Sequence, residues 1–262
     1  MEISRGGLTM RKWMLVCVLV SLFVAVVHDQ GVAGKKEAHP TLIQERVIPK
    51  SLDSEARAER AAQNWLKSLN YNLTLDRMRN LKTLRLQMYG SINGVSTQVL
   101  ISNANMVHLK VLNNLETLAL PTWTNDAGLS NVAGLVRLTT LNIPNSRITD
   151  AGMAFLKNLR EMKSLVLTAA NITDSGIEYL AGLSRLEILN LSNTRLTDAG
   201  MVHIAGLTNL RKLFLNRTGI SDNSVPHILK LRNLERLDIT GTRITHSGRR
   251  QIRNGIPGIE LH

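Results

Sequence analysis

Residues 186–209 read LEILNLSNTRLTDAGMVHIAGLTN, and the order of side chains within them decides the fold. Leu186, Leu189 and Leu191 follow L-x-x-L-x-L, and the alternation at Leu189 and Leu191 predicts a short strand with one face buried. Asn193 and Thr194 interrupt the strand, and Leu196 turns the chain back toward the core. Thr197 or Asp198 can cap a helix, because a side-chain oxygen there accepts a free N–H of the first turn. Met201, Ile204 and Leu207 then fall at steps of three on one helical face. The unit predicts strand, turn, short helix and return to the next strand.

The unit recurs. Its first strand leucine aligns with Leu115, Leu138, Met162, Leu210 and Leu234, in steps of 23, 24, 24, 24 and 24 residues counted through Leu186. A fixed period of this length means a solenoid, in which each unit buries its apolar face only against its neighbours. Thr149-Asp150-Ala151-Gly152, Thr173-Asp174-Ser175-Gly176 and Thr197-Asp198-Ala199-Gly200 repeat a T-D-x-G step, which degrades at 125–128, 221–224 and 245–248. With this pattern the chain resembles the leucine-rich-repeat proteins. Within them it is similar to the subclass with Thr or Cys after the strand and a T-D-x-G-L helix start. Ser146, Ala170, Thr194, Thr218 and Thr242 stand at the post-strand position. The resemblance spans residues 73–258 and the segment after them. It implies an α/β, right-handed solenoid, with parallel strands on a concave face and short helices on a convex one. It is similar to bacterial exported proteins of that kind, and it implies binding rather than catalysis.

The chain starts with a targeting pattern. Arg11 and Lys12 precede an apolar run, Trp13 to Val27, of 15 residues, short of the roughly 20 needed to span a bilayer. Residues 1–33 therefore read as a signal peptide, with Gly31-Val32-Ala33 as small residues for cleavage. The alternative is retention, with residues 13–27 as a membrane anchor. Either reading places the protein outside the cytoplasm: in the periplasm, in the cell envelope or secreted. Cleavage removes Cys17, the single cysteine, so the exported domain has no disulfide.

Residues 34–52 are polar and aperiodic and read as a linker or extended arm. Residues 53–72 read as a helical cap, with Asp53 or Ser54 at its start and Ala58, Ala62, Trp65 and Leu69 on one face. Trp65 and Leu66 are positioned to cover the open apolar edge of the first repeat. Tyr71, Leu73 and Leu75 alternate like an opening strand. The first repeat, 81–114, is irregular. Its helix residues Met106, Leu109 and Leu112 arrive ten residues late, which places an insertion near 89–98. Asn93-Gly94 inside it, flanked by Ser91-Ile92 and Val95-Ser96, predicts a tight hairpin. Such a loop on a rigid scaffold is a candidate recognition element, through Ile92 and Asn93, or a tolerated insertion. Residues 259–262 predict a closing strand.

Between the buried leucines, the strand face presents three columns. The first is Thr83, Thr117, Thr140, Ser164, Ile188, Lys212 and Arg236. The second is Arg85, Ala119, Asn142, Val166, Asn190, Phe214 and Asp238, and the third includes Ser192, Asn216 and Thr240. Phe214 is one of nine aromatic residues, and beside Lys212 and Arg236 it forms a candidate binding hot spot. Ile188, Asn190, Asn216 and Asp238 are its column neighbours. Charge is uneven. The whole chain is +12, and residues 210–253 hold ten Lys+Arg against three acids. Arg147, Arg195 and Arg243, spaced by 48 residues, predict a column along one edge. A basic surface favours an anionic protein or polymer, and export and scarce aromatics argue against nucleic acid.

No catalytic constellation, zinc spacing or phosphate loop appears, so neither cofactor nor metal is expected. His203 and His227 share a repeat position without a third ligand. Asp150, Asp174, Asp198 and Asp222 read as helix caps, each contributing about 1 kcal/mol, rather than as a calcium ladder. The sequence thus predicts a non-enzymatic binding scaffold acting through its strand face. A structural envelope component is the alternative. A ligase substrate-recognition subunit, which would need an F-box, and an unrecognised enzyme rank lower.

Overall fold

The strand leucines set the register. In the computed structural model, which describes residues 50–86, 91–92, 95–96, 98 and 101–262, the L-x-L segments pair in parallel so that Leu84, Leu118, Leu141, Leu165, Leu189, Leu213 and Leu237 lie side by side, all buried. The expected signal segment 1–33, residues 34–49 of the expected arm and Asn93 lie outside the described residues.

Helix α1 (Lys50–Ser68) opens the described chain and begins before the expected Asp53 or Ser54 cap. Asp53 instead sits in its first turn and pairs with Arg57 at 2.7 Å. Ala62, Trp65, Leu66 and Leu69 are buried, whereas Ala58 is exposed. Trp65 meets His108 with ring centroids 5.5 Å apart, so α1 covers the start of the solenoid. Residues 71–75 do not form the expected strand. Thr74 caps helix α2 (Leu75–Arg79) by accepting the Arg77 N–H. The Gln63 side chain donates to the Leu73 carbonyl and the Tyr71 hydroxyl to the Arg85 carbonyl. Side chains take the place of a ladder partner there, and alternation alone does not make a strand.

Strand β1 (Thr83–Arg85) starts the sheet. The insertion after it forms an antiparallel pair, β2 (Ser91–Ile92) with β3 (Val95–Ser96), as its turn chemistry predicts. A 3-10 helix (Asn105–Val111) returns the chain and buries Met106 and Leu109. Five regular units follow: β4 (Thr117–Ala119) with α3 (Asp126–Leu129), β5 (Thr140–Asn142) with α4 (Asp150–Met153), β6 (Ser164–Val166) with α5 (Asp174–Ile177), β7 (Ile188–Asn190) with α6 (Met201–Ile204), and β8 (Lys212–Phe214) with α7 (Val225–Ile228). Strand β9 (Arg236–Asp238) is followed by the longer α8 (His246–Gly255) and by β10 (Glu260–Leu261), which pairs with β9. Apart from the β2–β3 hairpin, the strands form one sheet of eight in chain order. The helices of the five regular units are single α-turns, several flanked by a 3-10 turn, so the helical side of each unit is shorter than the i, i+3 spacing suggests.

In the T-D-x-G step the threonine caps its own helix, as at Thr173 and Thr245, but the aspartate does something else. The Asp150 carboxylate accepts the Thr173 N–H (2.7 Å) and the Thr173 hydroxyl (2.5 Å), both in the next repeat. Asp126 binds Thr149, Asp174 binds Thr197, Asp198 binds Ser221 and Asp222 binds Thr245 in the same way. The aspartates are an inter-repeat ladder, and the preceding Thr, Ser or Asn occupies the N-cap position. The motif glycine is required by this ladder. A Cβ on Gly152, Gly176, Gly200 or Gly248 would overlap the aspartate Oδ1 of the preceding repeat. At the one departure, Ser224, the hydroxyl donates to Asp198 instead. Asn103 is the first rung: its Oδ1 accepts the Asn125 N–H (3.1 Å).

After β5 to β9 the chain turns through a left-handed residue: Asn145, Ala169, Asn193 and Arg217, with φ between 52° and 60°, and Gly241 at 71°. The next side chain closes the turn. The Thr194, Thr218 and Thr242 hydroxyls each donate to the carbonyl three residues back at 2.7 Å. Ser146 stands at the same position with its Oγ buried and unbonded.

Candidate functional site

The strand register lines up the predicted columns: Ile188, Lys212 and Arg236 in one, and Asn190, Phe214 and Asp238 in the next. At the C-terminal end these become a cluster. The Arg236 guanidinium lies over the Phe214 ring, 5.7 Å from its centroid, a distance at which a cation is attracted to the ring face. Arg236 also pairs with Glu260 at 3.5 Å, and Glu260 is 2.9 Å from the His262 ring. The Arg236 Nε is buried without a hydrogen-bond partner. The His262 hydrogen bond holds the Glu260 carboxyl below its ordinary range; burial opposes this, and the charges of Arg236, His262 and Lys212 reinforce it. Lys212 is exposed beside this group. Neither Glu260 nor His262 is among the residues that the column pattern singles out. Glu260 stands 24 residues after Arg236, so the repeat period itself places it in the first column.

The other column residues are less free than their spacing suggests. Asn190 Oδ1 accepts the Ser192 N–H (3.0 Å), and Asp238 Oδ1 accepts the Thr240 N–H (2.9 Å). Asn216 accepts the Ser192 hydroxyl. These side chains fasten the end of the strand and offer only their remaining polar atoms. Ile188 is half-buried next to Lys212.

Arg195 and Arg243 are not part of the cluster. With Arg147 they lie beyond the strand ends, at the edge where the chain turns toward the helices. There the backbone N–H groups of Arg147, Asn171, Arg195, Gly219 and Arg243 each donate to a carbonyl of the preceding repeat at 2.7–2.9 Å. The hairpin containing Ile92 follows β1, at the opposite end of the sheet from β8 and β9. The candidate residues therefore occupy three patches.

The opposite edge, where the strands begin, carries a groove of about 520 Å³ lined by Lys163, Arg185, Glu187, Asn209, Arg211, Asn233 and Glu235. Its charges neutralise one another. Lys163 pairs with Glu187 (3.4 Å), Arg211 with Glu235 (2.6 Å) and Arg185 with Glu161. Its amides are spent as well, Asn209 donating to the Ser184 carbonyl and Asn233 to that of Thr208.

On the helical side His203 and His227 are half-buried, and His227 Nδ1 is buried without a partner. Among the described residues no group of three or more His, Cys, Asp or Glu could hold a metal ion, and no helix is long and apolar enough to cross a membrane.

A family model described as leucine rich repeat matches residues 136–196 and 160–220. No curated protein sequence matches the chain. Among solved structures the chain is similar to an internalin (InlF) from Listeria monocytogenes, at 24% identity and a TM-score of 0.54 over 69% of this chain. It covers 47% of that protein, about half its length. It is also similar to internalin C2 from the same organism, at 23% identity and a TM-score of 0.53, over 78% of this chain and 92% of that one.

Proposed function

Since the chain is a leucine-rich-repeat solenoid, we propose that it is an exported, non-enzymatic scaffold that binds a protein partner through the C-terminal part of its strand face. The observation that carries this reading is the stacked pair of Phe214 and Arg236, in register with exposed Lys212. Over the earlier repeats the same two columns hold mainly Thr, Ser, Ala, Asn and Val. An aromatic ring ordered by a guanidinium, with cations beside it, is the kind of anchor that dominates interface energetics. Export is supported by the basic flank and the apolar run Trp13 to Val27. Scaffold function is supported by an open sheet whose face adds a few side chains per repeat.

The test is a quantitative capture from envelope extract, comparing the wild-type protein with Lys212→Glu/Phe214→Ala/Arg236→Glu. Partners held through this face are lost from the variant, and identical partner sets for both proteins overturn the assignment. Sequencing the N-terminus of the protein recovered from the envelope fraction distinguishes cleavage after Ala33 from a retained anchor.

A further inference from the structure

The arginine column at the strand-end edge is a second surface, independent of the strand-face reading. Arg147, Arg195 and Arg243 are exposed, and among the described residues none of their side chains forms an ion pair or a hydrogen bond. Their backbones are fixed by the inter-repeat hydrogen bonds of the edge, so their spacing is set by the sheet. Strands lie 4.7–4.9 Å apart, which puts successive arginines, two repeats apart, at about 10 Å. Asn171 and Gly219 occupy the intervening rungs, and Asn145, Ala169, Asn193, Arg217 and Gly241 flank them. The Asn145, Asn171 and Asn193 side-chain amides are exposed and unbonded among the described residues. The nearby aspartates of the ladder are each engaged by the next repeat, through both oxygens.

We propose that this edge binds a linear anionic polysaccharide that carries one carboxylate or sulfate per disaccharide. The arginines would meet successive anions, and the amides between them the sugar hydroxyls. The composition of the edge favours this ligand over an acidic protein. Among the ten residues of the rungs and their flanks, no side chain is apolar and larger than alanine, so the edge lacks the desolvated aromatic or aliphatic anchor on which protein interfaces depend. Guanidinium groups suit carboxylate and sulfate because they donate two parallel hydrogen bonds.

The experiment measures binding of the full chain to immobilised hyaluronan, with dextran as the neutral polymer and poly-glutamate as the acidic polypeptide. Hyaluronan is expected to bind, more weakly as salt rises because the paired charges are exposed. Arg147→Gln/Arg195→Gln/Arg243→Gln is expected to weaken that binding by about tenfold or more. Arg160→Gln/Lys230→Gln/Arg253→Gln removes the same charge from exposed positions elsewhere and is expected to leave it within about twofold. Phe214→Ala, which alters only the strand-face cluster, is expected to have no effect, so loss of the protein partner and loss of the polysaccharide are separable. Absence of hyaluronan binding overturns the proposal, as does equal loss in the two triple variants. Tighter binding of poly-glutamate than of hyaluronan replaces the polysaccharide with an acidic protein.

Discussion

At the edge where the strands begin, neighbouring repeats are joined by exposed ion pairs: Lys82–Glu116, Lys163–Glu187 and Arg211–Glu235. At the edge where they end, the joints are aspartates accepting at least two hydrogen bonds each from the next repeat, beside arginines whose side chains pair with none of the described residues. One repeat therefore has two kinds of seam. Exposed pairs contribute about 0.2–1 kcal/mol, because water screens them and ordering two long side chains costs entropy. Hydrogen bonds to a charged acceptor contribute about 1.5–3 kcal/mol. The difference implies that, of the two polar seams flanking the leucine core, the aspartates add more to stability, while the ion pairs mainly cancel charge in the groove. Uncancelled positive charge then remains on the strand-end arginines and around Lys212.

The largest expected effect tests that division directly. Asp150→Ala leaves the half-buried Thr173 N–H and hydroxyl without their acceptor, and is expected to destabilise by about 2 kcal/mol in urea unfolding. Glu187→Ala, which breaks the Lys163 pair on the other edge, is expected to cost under about 1 kcal/mol. Equal costs would mean that the two seams are equivalent.

The next effect is steric. In Gly176→Ala the new Cβ falls on Asp150 Oδ1, with Ile172 Cγ2 and Met153 Cγ each 3.1 Å away. Overpacking of this kind costs about 1–3 kcal/mol. Gly176→Ser adds an atom more, yet is expected to cost less than alanine, because Ser224 shows how a hydroxyl here turns the clash into a bond to the ladder aspartate. Thermal unfolding of the two variants side by side checks the order, and serine being the worse substitution would break the explanation.

Acid provides a third comparison. Burial pushes the Asp198 carboxyl up, but the Ser221 and Ser224 hydroxyls and the Ser221 N–H together bring it below its ordinary value. A carboxyl depressed in the folded state contributes stability that is present above its unfolded value, near pH 4, and is lost as pH falls through the folded value. The wild-type thermal midpoint is therefore expected to fall more steeply below about pH 4 than that of Asp198→Asn, with the two profiles parallel above it. Parallel profiles at every pH would remove Asp198 from the acid-sensitive seam.

The period made much of this legible in sequence, and the failures have a common cause. The strand columns followed from steps of 23 and 24 residues, and the paired register reproduces them. The aspartates read as helix caps because a cap is a local pattern, whereas Asp150 meets Thr173 only through the stacking of repeats. The same arithmetic, Lys163 to Glu187 and Arg236 to Glu260, would have found the ion pairs and the acidic member of the strand-face cluster. Tyr71, Leu73 and Leu75 alternate like a strand, but Thr74 caps α2 and the Gln63 and Tyr71 side chains make the hydrogen bonds that a ladder would. As for function, the candidate residues divide among three patches, since a repeat distributes similar side chains along its length and does not draw them into one pocket.

The smallest expected effect sharpens the contrast between the edges at the level of the backbone. The strand-end turn uses a left-handed residue in five successive repeats, and only Gly241 is free of the Cβ cost of that conformation. For other residues that cost is about 1–2 kcal/mol. Exposed Ala169, at φ 55°, has no side-chain bond to compensate. Ala169→Gly relieves the strain but gives the unfolded chain more freedom, which takes back about 0.4–1 kcal/mol. The net expectation is a gain of roughly 0.5 kcal/mol, read as a small rise in the urea midpoint at unchanged slope. A fall instead would show that the turn is held so firmly by the Ala169 N–H bond to the Ser192 carbonyl that its alanine costs nothing. The strand-end edge would then be rigid in its backbone as well as in its aspartates, which is the condition under which three arginines two repeats apart keep a fixed spacing.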